Sequence, residues 1–163
     1  MKKLTFLLVF IFGQGAFSNV TICGVSIELE SNFHRAAVSF QEVIGTYDTT
    51  CGKVELKFFQ RCENSMFLSM EIDFLDEQFG RMRYLLYSEF QNRGTYEYTT
   101  RRNRLRLYSK VADNSLPRSF VDIANISKSR DGELLSVKTE EYVSSFFGQT
   151  SRRKRDCSII SEI

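Results

Sequence analysis

From Cys51 onward, apolar side chains recur at every second position, and this alternation restricts most of the chain to half-buried β-strands. Val54, Leu56 and Phe58 share one face, while Glu55, Lys57 and Arg61 take the other. Met66, Leu68, Met70, Ile72 and Phe74 form the longest run. A turn at Asp76 to Gly80 leads into Met82, Tyr84 and Leu86. A five-residue loop there sets Met70 against Leu86, Ile72 against Tyr84 and Phe74 against Met82. The opposite face then pairs Asp73 with Arg83, and agreement of both faces predicts a hairpin in this register. Asn92-Arg93-Gly94 marks the next turn. Arg102-Asn103 fits a two-residue hairpin that places Tyr98 opposite Leu107 and Thr100 opposite Leu105. Residues 111–118 read as an irregular connection. Residues 119–128 and 133–142 flank Ser129-Arg130-Asp131-Gly132, whose Asp-Gly signals a hairpin.

The period differs nearer the start. Val25, Ile27 and Leu29 alternate with polar residues as in a strand. Phe33, Ala36, Ala37, Phe40, Val43 and Ile44 then fall at helical spacing. Ser31 or Asn32 supplies a cap and Gly45 a terminating glycine, which predicts a helix over 32–44. The expected fold is mainly β: an antiparallel meander of about seven strands, as a curled sheet, barrel or sandwich, with one N-terminal α-helix. A single domain is expected over 19–148, followed by a basic C-terminal tail at 149–163 tied by a cysteine. An outer-membrane barrel is disfavoured, because the non-core faces carry Glu55, Lys57, Glu71, Asp73, Arg83 and Arg106. Each Lys or Arg at mid-depth in lipid would cost roughly 2–4 kcal/mol.

Residues 1–18 have the layout of a secretory signal peptide. Lys2 and Lys3 precede the apolar stretch Leu4–Phe12, and Ala16 and Ser18 are small residues placed for cleavage after Ser18. The expected location is therefore secreted or periplasmic, with no transmembrane segment in the mature chain. Lys2 and Lys3 also supply the whole formal charge of +2. Without them the charges balance, so no general attraction to nucleic acid or anionic membrane is expected.

Cys23, Cys51, Cys62 and Cys157 all follow the leader, and an even count in an exported chain predicts two disulfides. Zinc ligation lacks the necessary close pairs, and no metal or other cofactor is expected. Lipid attachment at Cys23 is disfavoured by the bulky Ile22 before it. Cys51 and Cys62 bracket one extended strand and would lie ~36 Å apart, beyond the reach of a disulfide. Two connectivities remain: 23–51 with 62–157, slightly preferred, or 23–62 with 51–157.

The most structured candidate site is basic and aromatic. Residues 81–118 hold nine Lys or Arg against three acids, interleaved with tyrosines. Arg101, Arg102, Arg104 and Arg106 with Tyr108 form its centre. Guanidinium forks and aromatic faces suit an anionic polymer or a lipid headgroup. The acids Glu63, Glu71, Asp73, Asp76 and Glu77 of the preceding strand pair offer the competing role of neutralising partners. A second candidate is an apolar cup lined by Phe58, Met70, Ile72, Phe74, Tyr84 and Leu86, which suits an apolar or lipid-like ligand or equally a filled core.

Arg152-Arg153-Lys154-Arg155 reads as a solvated tail, as a contact for anionic envelope polymers, or, in a eukaryotic pathway, as a dibasic processing site. Asn19-Val20-Thr21 and Asn125-Ile126-Ser127 are glycosylation sequons in that setting. Gln41-Glu42-Val43-Ile44-Gly45 resembles the Q-x-V-x-G loop of cystatin-type inhibitors, and the resemblance implies a wedge against cysteine proteases. The same residues also make an ordinary helix end, and the chain has no tryptophan for the partner loop. Catalytic motifs are absent: His34 is the only histidine, and no nucleophile elbow, zinc-protease helix or phosphate loop occurs. The expected function is an exported, non-enzymatic binding or structural module. A carrier of an apolar ligand, a protease inhibitor and an unrecognised hydrolase are the alternatives.

Overall fold

The computed structural model describes residues 18–90, 94–101, 103–113 and 118–163. The signal-like residues 1–17, together with Arg93 and Arg102, lie outside the described residues. Eleven strands and one helix are present among those described. β1 (Ser18–Ile22) and β2 (Val25–Leu29) form a hairpin. The helix α1 (Ser31–Gln41) follows. The remaining strands are β3 (Gly45–Thr49), β4 (Gly52–Arg61), β5 (Phe67–Phe74), β6 (Arg81–Ser88), β7 (Gly94–Arg101), β8 (Arg104–Asp113), β9 (Arg118–Lys128), β10 (Leu134–Ser145) and β11 (Gly148–Glu162). They build one sheet in the order β6-β5-β4-β3-β11-β10-β9-β8-β7, curled into a nearly closed barrel.

The strand count explains why the curl does not close by hydrogen bonding. Every neighbouring pair is antiparallel, so across nine strands the two edges, β6 and β7, run in the same direction. Parallel neighbours need a crossover of about a dozen residues or more, whereas residues 89–93 are all that separates these edges. Side chains bridge the gap instead. The Tyr98 hydroxyl on β7 donates to the Leu85 carbonyl on β6. Phe33 of α1 packs edge-on against Tyr98 with ring centres 4.8 Å apart, and Phe40 packs on Phe58 of β4 at 5.5 Å. The helix thereby buries Ala36, Ala37 and Phe40 in the barrel core.

The meander with one helix is as expected, but it has nine strands after the helix rather than seven. The helix ends at Gln41 and Gly45 opens β3 instead of capping it. Val43 is buried, and its carbonyl accepts a hydrogen bond from the Tyr47 hydroxyl at 3.0 Å, which turns the chain into the sheet. The expected tail is also a strand. β11 is the longest strand among the described residues and lies between β10 and β3.

The β7–β8 register is as predicted, with Tyr98 opposite Leu107 and Thr100 opposite Leu105. The β5–β6 register differs by two residues. Met70 faces Tyr84, Ile72 faces Met82, Asp73 faces Arg81 and Glu71 faces Arg83. The connecting loop is longer than expected and makes two successive turns, Glu77 N–H to Phe74 and Gly80 N–H to Glu77. A side chain at Gly80 would place its Cβ 2.6 Å from the Phe74 carbonyl oxygen, so the close approach requires glycine. A slip of two leaves each residue on its predicted face.

The disulfides join Cys23 to Cys62 and Cys51 to Cys157, with Cα separations of 5.6 and 5.3 Å. This corrects the preference for 23–51 with 62–157. The β1–β2 turn sits at the Arg61 end of β4, where the Cys23 sulfur also lies 3.4 Å from the Arg61 carbonyl. β11 in turn brings Cys157 to the β3–β4 turn, where Thr50 and Ser158 exchange backbone and hydroxyl hydrogen bonds at 3.0 Å. Two disulfides accord with folding in an oxidising compartment. No helix among the described residues is long and apolar enough to cross a membrane.

Candidate functional site

The arginines separate into those with carboxylate partners and those without. On the outer face of β4–β6, Arg83 bonds Glu71 at 2.6 Å and Arg81 bonds Asp73 at 2.9 Å. Glu71 is fully buried beneath these long side chains, and Arg83 also covers the rings of Phe59 and Phe67. The Asp73 partner is thus Arg81 rather than Arg83. These two arginines serve the fold.

The basic run of β11 does the same at one end of the barrel interior. A bulge in the β10–β11 pairing adds Arg152 beside Arg153, so both reach the side on which Arg155 lies. Arg155 is buried and bonds both oxygens of Glu77, at 2.9 and 2.6 Å, as well as Glu141 and Thr139 at 3.3 Å. Its guanidinium stacks 4.2 Å from the Phe74 ring centre. Arg153 adds a bond to Glu77 at 2.9 Å, and Arg152 lies 3.4 Å from Asp122 and 3.5 Å from Glu141. The arginine contacts hold Glu77 below the usual carboxylate range, Arg155 foremost. Burial, and then the neighbouring Glu141, push Asp122 above it. Tyr84 is fully buried near this cluster, and its hydroxyl, without a hydrogen-bond partner among the described residues, is driven well up by burial and by Asp122. In place of a solvated tail, Arg152, Arg153 and Arg155 form the charged closure of the barrel, while Lys154 points outward to Glu140.

The cup residues Met70, Ile72, Phe74, Tyr84 and Leu86 are buried in the core, with Phe58 packed against it and against Phe40 of α1. The side chains that would line a cup fill one another's space.

The outer face of β7–β9 is different. Arg101 stands directly opposite Arg104 across the β7–β8 pair. Like charges in that position are destabilising. Arg106 follows on the same face, and all three are exposed. None of them makes an ion pair with a described residue. Beside them opens a cleft of about 560 Å³ lined by Arg101, Asn103, Arg104, Ser127, Lys128 and Leu135. A second cleft, of about 440 Å³, shares Asn103 and Lys128 and adds Arg35 and Arg130 around the hairpin tip. Lys128 is anchored by Ser39 and by Glu42, the one acid lining either cleft. Tyr108 lies further along β8, between Glu97 and Ile123. A larger cleft of about 790 Å³ sets four acids, Glu42, Asp131, Glu133 and Glu162, against one base, Arg130, a balance that disfavours an anion.

Sequence reasoning thus placed Arg101, Arg104, Arg106 and Tyr108 on one face but missed Arg35, Lys128 and Arg130, which reach the site from α1 and the β9–β10 hairpin. No local pattern connects those segments. Val43 of the Q-x-V-x-G segment is buried between α1 and β3 and does not project as a wedge. No cluster of three or more His, Cys, Asp or Glu suited to a metal occurs among the described residues. Comparison with family models, characterised proteins and solved structures finds no match.

Proposed function

We propose that this chain is an exported, non-enzymatic binding module that takes an anionic ligand on the outer face of β7 and β8, at Arg101, Arg104 and Arg106. The observation that carries the reading is the direct opposition of Arg101 and Arg104 with no carboxylate partner among the described residues. Elsewhere the chain matches closely spaced cations with acids, as at Arg81, Arg83, Arg152, Arg153 and Arg155. An unmatched pair costs stability, and such a cost accords with selection for binding. Guanidinium forks suit sulfate, phosphate or carboxylate groups. The signal-like layout of residues 1–18 and the two disulfides support an exported location.

Retention on immobilised heparin or polyphosphate tests the reading. The native protein should elute at higher salt than Arg101→Glu/Arg104→Glu. Equal elution of the two removes the proposal.

A further inference from the structure

We propose that the ligand of this face is an anionic carbohydrate, a chain of sulfated or carboxylated sugars, in preference to a nucleic acid or a lipid surface. The inference rests on the anion-binding reading above and is carried by what surrounds the arginines. The strand registers align the outward residues of β7 to β11 in rows. The first row runs Arg101, Arg104, Ser127, Ser136, Ser158. The second runs Thr99, Arg106, Asn125, Lys138, Asp156, with Lys138 bonded to Asp156 at 2.7 Å. Neighbouring strands lie ~4.8 Å apart, and successive outward residues on a strand ~6.8 Å apart. Arg101, Arg104 and Arg106 therefore occupy one end of a polar surface whose other positions carry hydroxyls, a carboxamide and the Lys138–Asp156 ion pair. Asn125, Ser127 and Ser136 are half-buried, and Arg104, Arg106 and Thr99 are open to solvent.

Hydroxyl and carboxamide groups can each donate and accept. That capacity matches sugar hydroxyls, whereas a bare phosphate chain only accepts. Non-specific recognition of single-stranded nucleic acid relies on aromatic platforms for the bases. Neither cationic row contains an aromatic residue, and Tyr108 is displaced to the third row, beside Glu97. Insertion into a bilayer calls for apolar side chains next to the cations. Leu135, in the cleft with Arg101 and Arg104, is the single apolar residue lining it. The cleft gives the otherwise convex barrel wall a recess in which one acidic sugar can seat, with the chain continuing over Ser127 and Asn125.

The test compares a heparin-type octasaccharide, a single-stranded oligonucleotide of equal charge and phosphatidylserine vesicles by direct binding to the native protein. The octasaccharide should bind at least tenfold more tightly than either competitor at equal salt. Asn125→Ala/Ser127→Ala, checked for an unchanged thermal melt, should weaken it about tenfold through lost hydrogen bonds without altering the slope of affinity against salt. Arg101→Glu/Arg104→Glu should lower both affinity and slope. Equal or tighter binding of the oligonucleotide or vesicles, or an Asn125→Ala/Ser127→Ala protein that binds the octasaccharide normally, overturns the carbohydrate assignment and leaves the anion site standing. Failure of all three probes to bind the native protein, or binding that survives Arg101→Glu/Arg104→Glu, overturns the anion site itself.

Discussion

Arg155 grips Glu77 with both oxygens of the carboxylate, although 78 residues separate the two in the chain. The fork ties the β5–β6 loop to the strand at the middle of the sheet, and the Phe74 ring lies against its face. Arg155→Met should cost about 3 kcal/mol, because Glu141 and Glu77 are left with a missing cation in a mostly buried setting. Arg155→Lys should recover only part of this, since an ammonium cannot form the fork. Urea denaturation measures both, and an unperturbed midpoint for Arg155→Met would contradict the assignment.

Two carboxylates of the same cluster, Glu77 and Asp122, should change stability with pH in opposite senses. Glu77 sits below its ordinary range in the folded state, so its stabilisation is complete above that range and is lost as pH falls through the depressed value. Asp122 sits above its ordinary range, so it destabilises the fold at neutral pH, and this cost fades as pH falls toward the usual aspartate value. Glu77→Gln should therefore lower stability at neutral pH, and Asp122→Asn should remove a cost that grows with rising pH. Unfolding free energies of the three proteins across the acid-to-neutral range check the two signs.

The two disulfides should differ in their contribution. Cys51–Cys157 closes a loop of 106 residues and Cys23–Cys62 one of 39. On the chain-entropy account the longer loop is worth about 1 kcal/mol more. Cys51→Ala/Cys157→Ala should melt below Cys23→Ala/Cys62→Ala, and non-reducing peptide mapping should return these two pairs.

At the binding face, stability and function should move apart. Arg101→Glu creates an opposite-charge pair with Arg104 and should raise stability by roughly 0.5 kcal/mol while weakening polyanion binding. A substitution there that destabilises the fold would show that Arg101 has a structural partner.

The filled interior makes its own prediction. Ile72 and Met70 are fully buried, and truncation of either to Ala should cost about 3 kcal/mol. The native mass of the purified protein should equal that of the oxidised polypeptide, and a bound lipid would restore the carrier reading.

Much of this architecture was legible in residue order. Alternation from Val54 to Leu86 placed each side chain on its correct face, and even a two-residue slip in the β5–β6 hairpin left those faces intact. The clustering of Arg101, Arg104 and Arg106 was equally plain. β11 was not, because Arg155 holds a buried inward position that an apolar residue normally marks, and with the exposed Arg152, Arg153 and Lys154 before it the segment looks like a charged tail. β3 was hidden by its brevity and its polar sequence, Gly-Thr-Tyr-Asp-Thr.

The sequence by itself determined which residues face inward, where most turns fall, and that Cys51 cannot pair with Cys62, since these follow from strand periodicity and the length of one extended segment. Only the tertiary structure decided who meets whom. It joined Cys51 to Cys157, set Arg155 against Glu77, and placed Lys128 in one cleft with Arg101 and Arg104 and in the adjoining cleft with Arg35 and Arg130. The physical reason is one of range: periodicity is written within a few residues. The order of nine antiparallel strands, and the unclosed gap that their odd number leaves, depends on pairings made across the whole chain.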